Sequence, residues 1–196
     1  MYARVTVPPP VEPLSLTEVK LNHKVEHTLD DELINALIKT AREYAENYCQ
    51  LSLVTQTREV FYDVFYQNIE LPFGPVTSLL ALEYVDAQGV TTAIASTEYT
   101  LVNYRLPALI SPAYSKYWPA ARHQLNAVTA RYVAGYAPLA GSPTDYTANV
   151  PPGIKTAMQL LIGHWYANRE ATAPGTLSNI PIAVDALLGS HRVSWL

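Results

Sequence analysis

Apolar residues recur at three- and four-residue steps along one segment near the start of the chain, which is the spacing of a single helix face. The stripe is Leu33, Ile34, Leu37, Ile38, Ala41, Tyr44, Ala45 and Tyr48, and charged or amide side chains fill the opposite face. Thr28 and Asp30 precede the stripe, and residues of these types cap helix N-termini. The pattern predicts an amphipathic helix of about five turns that buries one face.

Three further helices are predicted on either side of a region with a different pattern. Ser15 and Glu18 have the spacing of a capping box for a short helix from about Leu16 to Asn22. A third helix is predicted to start near Pro151, and a last one to span Ile182–Leu188. We expect the helices to form a bundle with these core positions: Leu33, Leu37, Ala41, Tyr44, Tyr48, Ile154, Met158, Leu161 and Trp165.

The central region has the composition of β-strands. Thr, Val and aromatic residues dominate 55–65, Val76–Asp86 and Asn126–Gly135, and Leu71–Pro75 interrupts them with a turn. Prolines in residues 1–13 predict an extended N-terminal arm. The chain is therefore predicted to be an α+β protein, with a small helical bundle formed by the N- and C-terminal segments and an inserted antiparallel β-rich subdomain. The expected boundaries are 1–51 for the arm and first bundle helices, 52–136 for the insert, and 137–196 for a linker, the third bundle helix and a C-terminal docking segment.

Composition narrows the function classes. The 196 residues carry a net charge of −4, and no large basic cluster is present that would grip duplex DNA through its phosphates. No apolar stretch is long enough to span a bilayer. Fourteen Tyr accompany only three Phe. Tyr is frequent at protein interfaces and also in strands, so the surplus favours either assembly surfaces or simple strand propensity.

One motif suggests metal chemistry. His23, Glu26 and His27 fit H-x-x-E-H, in which two His would bind zinc and the Glu would act as a base. That chemistry requires all three on one continuous helix, whereas the helix start near Thr28 places the motif at a junction. A polar turn is the favoured interpretation, and a zinc-dependent hydrolase remains an alternative. We expect no catalytic residue, no metal and no cofactor.

Several phrases in the two helical blocks resemble those of the tailed-bacteriophage head–tail connector family, also called adaptor or head-completion proteins. The first block has the Leu-x-x-x-Glu-x-Lys phrase at Leu14–Lys20 and the long-helix phrase at Leu33–Tyr48. The last block has the corresponding phrases at Val150–Ala157, Trp165–Glu170 and Pro181–Leu188. The β-rich middle is similar to that of the longer members of the family.

The resemblance implies a structural virion protein made in the host bacterial cytoplasm and located at the head–tail interface. It implies a ring of about twelve copies beneath the portal protein, which contacts a tail or stopper protein and lets DNA pass through its lumen without specific binding. It also implies portal docking by the C-terminal segment, with these candidates: Leu177, Ile180, Val193, Trp195 and Leu196. Two alternatives stay open, a segment that folds back on its own chain and a tail-completion role.

Overall fold

The computed structural model of the chain describes residues 1–141, 143–168 and 182–193. The chain divides into two compact units. The β unit contains Met1–Pro10 and Thr55–Ala137, and the helical unit contains Val11–Val54 and the described residues of 138–193. The predicted α+β class is confirmed.

The β unit has eight described strands in two sheets. They are β1 (Tyr2–Val7), β2 (Gln56–Tyr62), β3 (Ile69–Leu71), β4 (Val76–Val85), β5 (Thr91–Ala93), β6 (Tyr99–Val102), β7 (Ala108–Pro112) and β8 (Val128–Ala134). The larger sheet has the order β1-β2-β8-β4-β5, and the smaller has the order β3-β7-β6. Every pair of neighbours is antiparallel. Strands β1 and β5 are therefore the two edges of the larger sheet.

Both sheets contribute to one apolar core. Val60, Leu82 and Tyr132 come from the larger sheet, and Ile69 and Ile110 come from the smaller one; all five are nearly inaccessible to solvent. The buried residues of β8 alternate with more exposed ones, which is the period-two pattern of a sheet with one covered face. The hydroxyl of the buried Tyr132 is not left without a partner, because it donates a hydrogen bond of 2.6 Å to the carbonyl of Pro72.

The N-terminal arm differs from its prediction. It is extended, as expected, but it forms an edge strand of the larger sheet and is not part of the helical bundle. The register pairs Tyr2 with Phe61 and Arg4 with Glu59. Val5, Thr6 and Val7 are good strand formers, and the prolines that predicted an extended arm follow only after the strand ends.

Four described helices form the helical unit: α1 (Leu16–His23), α2 (Asp31–Cys49), α3 (Pro152–Ala167) and α4 (Ile182–Gly189). Both hydrogen bonds of the predicted capping box are present at the start of α1. The Glu18 backbone N–H donates to the Ser15 hydroxyl at 3.2 Å, and the Ser15 backbone N–H donates to the Glu18 carboxylate at 2.7 Å. Hydrogen bonding from the Ser15 backbone holds the pKa of Glu18 below its ordinary value, even though burial acts in the opposite direction.

The buried face of α2 contains only part of the predicted stripe and extends to Cys49, which the stripe did not include. The fully buried positions are Ile34, Ile38, Ala41, Ala45 and Cys49. Leu33 is 37% exposed and Leu37 is only half-buried, so placing these two in the core was wrong. Helix α2 contacts α1, α3 and α4, and the side facing them selects the isoleucine of each Leu-Ile pair.

Helix α3 supplies the opposing side of the bundle core. Its positions Ile154, Met158 and Leu161 are fully buried. Trp165 is half-buried, and its ring meets the half-buried ring of Tyr44 edge-on, with 6.3 Å between the centroids. The aromatic candidates therefore lie at the border of the core.

Candidate assembly surfaces

Three charged side chains form a ladder across neighbouring strands of the larger sheet. Glu59 on β2 lies between Arg4 on β1 and Arg131 on β8. One carboxylate oxygen accepts hydrogen bonds from Arg4 at 2.7 and 3.0 Å, and the other accepts one from the Arg131 Nε at 2.8 Å. The Glu59 side chain is only 5% exposed, whereas both guanidinium groups reach solvent. The ladder joins three strands whose residues are far apart in sequence.

The electrostatics of Glu59 follow from this arrangement. Burial alone would raise the pKa of its carboxyl group. The hydrogen bonds and positive charges of Arg4 and Arg131 outweigh burial, so the pKa of Glu59 lies below its ordinary value. The two arginines therefore stabilise the ionised form of the Glu59 carboxylate.

Strand β1 leaves one edge of the larger sheet open within the described residues. Five of its six residues are exposed, including Tyr2 at 62% and Val7 at 55%. Proteins commonly protect such edges with bulges or prolines. Here the register shifts between Val5 and Val7, and three prolines follow at once at positions 8–10, of which Pro8 and Pro10 are exposed and Pro9 is half-buried. We call residues 8–10 the triproline segment.

The opposite edge of the same sheet borders a groove with an aromatic wall. We define the aromatic groove by Tyr84, Ile94, Ala95, Tyr117, Trp118 and Pro119, and its volume is about 240 Å³. The Trp118 ring stacks on Phe65, with 5.0 Å between the centroids and 12° between the planes. Tyr117 beside it is 90% exposed. The groove therefore combines one fixed ring with one ring that faces solvent.

A buried ion cluster lies within the helical unit. The Arg42 guanidinium donates to Glu12 at 2.7 Å and to Glu46 at 3.1 Å. The second carboxylate oxygen of Glu46 accepts the backbone N–H of Leu53 at 2.9 Å. Burial opposes the charge of Arg42, but the surrounding carboxylates, Glu12 foremost, outweigh it and raise its pKa. The cluster fixes the segment before α1 and the segment after α2 against the middle of α2.

The sequence pattern assigned Arg42 and Glu46 to the solvent face of α2, and this was wrong, since both are almost fully buried. The i,i+4 spacing of the two residues was a signal of ion pairing. The helical pattern did not reveal that Glu12 also reaches Arg42, because it lies 30 positions earlier in the chain.

The H-x-x-E-H residues do not share a helix. Helix α1 ends at His23, and Lys24 has a left-handed backbone with φ 55° that turns the chain away. Glu26 and His27 follow in the connection to α2. The described residues contain no group of three His, Cys, Asp or Glu side chains that could hold a metal ion. The geometry that the zinc motif requires is therefore missing.

The His23 ring lies against α3 of the same unit. A Cβ atom placed on Gly163 would come within 2.6 Å of the His23 Cε1 atom, so a larger residue there would require the ring to move. This contact gives His23 a packing role at the end of α1.

Of the C-terminal docking candidates, only Val193 lies in the described part of the chain. Its backbone N–H donates to the Cys49 carbonyl at 3.0 Å, and its side chain is half-buried. The chain therefore returns to the end of α2 at this point, so Val193 is not a freely projecting residue. The other candidates, Leu177, Ile180, Trp195 and Leu196, lie outside the described residues.

Cys49, beside that return point, is buried, and burial raises the pKa of its thiol to about 11. A thiol in this environment remains protonated at neutral pH and is a poor nucleophile. In the described part of the chain, no helix is long and apolar enough to cross a membrane.

Comparison with known proteins gives a family match over part of the chain. Residues 13–107 match the family described as phage gp6-like head-tail connector proteins. The resemblance found in the sequence is confirmed over this segment. No curated protein matches the chain significantly in sequence.

The fold has relatives among solved structures. A chain in the neck of an empty GTA particle, computed with C6 symmetry, superposes with a TM-score of 0.78 at 20% identity. Chains from the virion of a native gene transfer agent (GTA) particle and from a native GTA neck computed with C12 symmetry give TM-scores of 0.77 and 0.74, also at 20% identity. Each comparison covers 100% of this chain and 97% of the other. At this identity the similarity establishes a shared fold over the full length.

Proposed function

Because residues 13–107 match gp6-like head-tail connector proteins, we propose that the chain is a structural virion protein that joins a phage-like head to its tail. In this role it forms a ring of about twelve copies beneath the portal and extends the DNA channel toward a tail or stopper protein. It is made in the cytoplasm of the host bacterium and becomes part of the neck of the particle.

This proposal rests on the agreement between the family match of the sequence and the similarity of the whole fold to neck proteins. The matched segment spans α1, α2 and strands β2 to β6, so it includes parts of both units. Relatives of the whole fold occur in particle necks that were computed with sixfold and twelvefold symmetry. The family match and the fold similarity therefore support the same kind of location.

The two open features of the larger sheet also suit a ring. A cyclic assembly of identical subunits uses head-to-tail contacts, so each subunit needs two different surfaces. Strand β1 and the aromatic groove lie at opposite edges of one sheet and differ in chemistry. Both surfaces are present on every copy.

The charge balance is compatible with a DNA channel. Tight phosphate binding requires clustered Lys and Arg, and affinity rises steeply with their number. The chain has 13 Lys and Arg against 17 Asp and Glu. Three of the described arginines, Arg4, Arg42 and Arg131, form ion pairs with carboxylates of the same chain. DNA would pass such a lumen without being held.

Imaging the purified protein mixed with its cognate portal tests the role. We expect an added ring on one face of the portal. A mixture in which the intact chain never joins the portal would contradict the connector role.

A truncation tests the portal-docking part of the proposal separately. Deleting everything after Thr176 would also remove α4, whose Val184 and Leu188 are fully buried. A stop after Val193 is sharper because it removes Trp195 and Leu196 and keeps α4 and the Val193–Cys49 hydrogen bond. We expect this variant to fold, with an unchanged circular dichroism spectrum, but to lose the ring. A ring of normal occupancy would show that these last residues do not dock.

A further inference from the structure

The aromatic groove and the triproline segment have complementary chemistry. Proline runs favour the polyproline II conformation, and such segments bind between aromatic side chains because little conformational entropy is lost. In the groove, Trp118 is held by stacking on Phe65 and by donating its indole N–H to the Gln67 carbonyl at 3.3 Å. Tyr117 supplies an exposed second ring. The groove is thus a ready platform for proline rings.

A chain cannot place its own triproline segment in its own groove. Four strand spacings separate β1 from β5 in the larger sheet, a distance of about 19 Å. The triproline segment starts directly after β1 and extends only about 9 Å. The occupant must therefore come from another molecule, and every additional copy of this chain carries one.

The electrostatics permit the contact. Strand β1 carries a single charged side chain, Arg4, which is already engaged by Glu59. Glu98 also lines the groove, and its carboxylate pairs with the Lys116 ammonium group at 3.1 Å. Neither surface therefore presents an unpaired like charge that the other would have to desolvate.

We propose that the triproline segment of one copy occupies the aromatic groove of the next copy, so that head-to-tail repetition of this contact closes the ring. The inference rests on the ring assembly of the proposed function and names the residues through which neighbouring copies meet. The contact is heterologous, because residues 8–10 of one subunit meet Tyr117 and Trp118 of its neighbour and not their own equivalents.

Thiol crosslinking tests this arrangement directly. Pro8→Cys and Tyr117→Cys place thiols at two exposed positions, one on each surface, while Cys49 stays buried. The protein is assembled with its portal, treated with a short bismaleimide, and analysed by denaturing electrophoresis. We expect the double variant to give a ladder of multimers, a mixture of the two single variants to give dimers only, and either single variant alone to give monomers.

Imaging the same samples separates the two proposals. Rings on the portal without a crosslinked ladder would overturn the triproline contact and leave the connector role intact. A ladder without rings on the portal would overturn the connector role and retain the contact. Dimers from Pro8→Cys alone would overturn the contact, since they would show that β1 meets β1 in a two-fold interface.

A binding measurement adds a second, independent readout. Tyr117→Ser removes the exposed ring of the groove. We expect the protein concentration needed for half-maximal ring formation on the portal to rise about tenfold, as for loss of an interface aromatic. Tyr104→Ser is the matched control, because Tyr104 is 89% exposed in the same unit but does not line the groove. Equal assembly by both variants would contradict the contact.

Discussion

The two units use tyrosine differently. In the described part of the β unit, the most exposed large side chains include Tyr2, Tyr66, Tyr104, Tyr114 and Tyr117, which are 56–97% accessible. In the helical unit the exposed large apolar residues are aliphatic, whereas tyrosines such as those of α2 are half-buried. Tyrosines of α2 therefore border the helical core, whereas the β unit has both a fully buried tyrosine, Tyr132, and several that remain available for contacts.

The units also differ in how they treat charge. In the helical unit, Arg42 and Glu46 are 6% and 4% exposed, so both partners are removed from water. In the β unit, Glu59 is covered, but Arg4 and Arg131 are 55% and 48% exposed. Water can therefore solvate the arginines of the ladder if the carboxylate is lost, but it cannot easily reach Arg42. The helical unit should be the more sensitive to loss of a charge.

The largest expected effect tests which face of α2 forms the helical core. Ile34→Ala should lower the free energy of unfolding by about 3 kcal/mol, because it leaves a cavity at a fully buried site. Leu33→Ala, one residue earlier, should cost less than about 1 kcal/mol, because the side chain is already 37% exposed. Urea unfolding measures both losses. Equal losses would show that Leu33 is as much a part of the core as Ile34, which would contradict the observed buried face.

The buried ion cluster is expected to give a loss of similar size. Glu46→Gln keeps an acceptor for the Leu53 N–H but removes the charge that faces Arg42. Breaking a buried pair in this way should cost about 3 kcal/mol. Glu43→Gln is the control, because Glu43 is 54% exposed and 3.6 Å from Arg42, so its loss should cost less than about 0.5 kcal/mol. If both variants lost the same unfolding free energy, the buried pairing of Arg42 with Glu46 would contribute no more than an exposed ion pair, which would contradict this account.

The corresponding change in the β unit should be milder. Glu59→Gln should cost about 1 kcal/mol in urea unfolding, because Arg4 and Arg131 can turn to solvent. A loss as large as that of Glu46→Gln would remove the contrast between the two units.

The pH dependence of unfolding sharpens the same comparison. The pKa of Glu59 is lowered in the folded state, so its contribution to stability is present above its unfolded pKa, near 4.3, and is lost as the pH falls through the folded value. Wild type should therefore lose stability more steeply than Glu59→Gln as the pH falls below about 4.5. Parallel curves of unfolding free energy against pH would contradict the ladder.

Local sequence patterns predicted the helices and strands, whereas contacts between distant residues determine which side chains are buried and which strands pair. The capping box and the helical spacing of α2 act within a few residues, so both were visible in the sequence. In the adjacent pairs Leu33-Ile34 and Leu37-Ile38 both residues are apolar, so the sequence does not show which of the two is more buried. Packing against the other helices buries the isoleucine of each pair.

The remaining differences arise from residues that are far apart in sequence. Pairing of β1 with β2 joins Arg4 to Glu59, 55 positions away, and no local pattern reports such a contact. The aromatic groove likewise combines Tyr84 with the distant Tyr117 and Trp118. The sequence could therefore indicate a tyrosine surplus and a family, but it could not show which tyrosines remain exposed.

A cryo-electron microscopy map of the intact particle that carries this protein tests the connector role most directly. We expect density of this fold as a ring of about twelve copies between the portal and the tail, with the β unit of each copy contacting the next. Density of this fold at any other position in the particle, or a neck that lacks it, would contradict the proposed role.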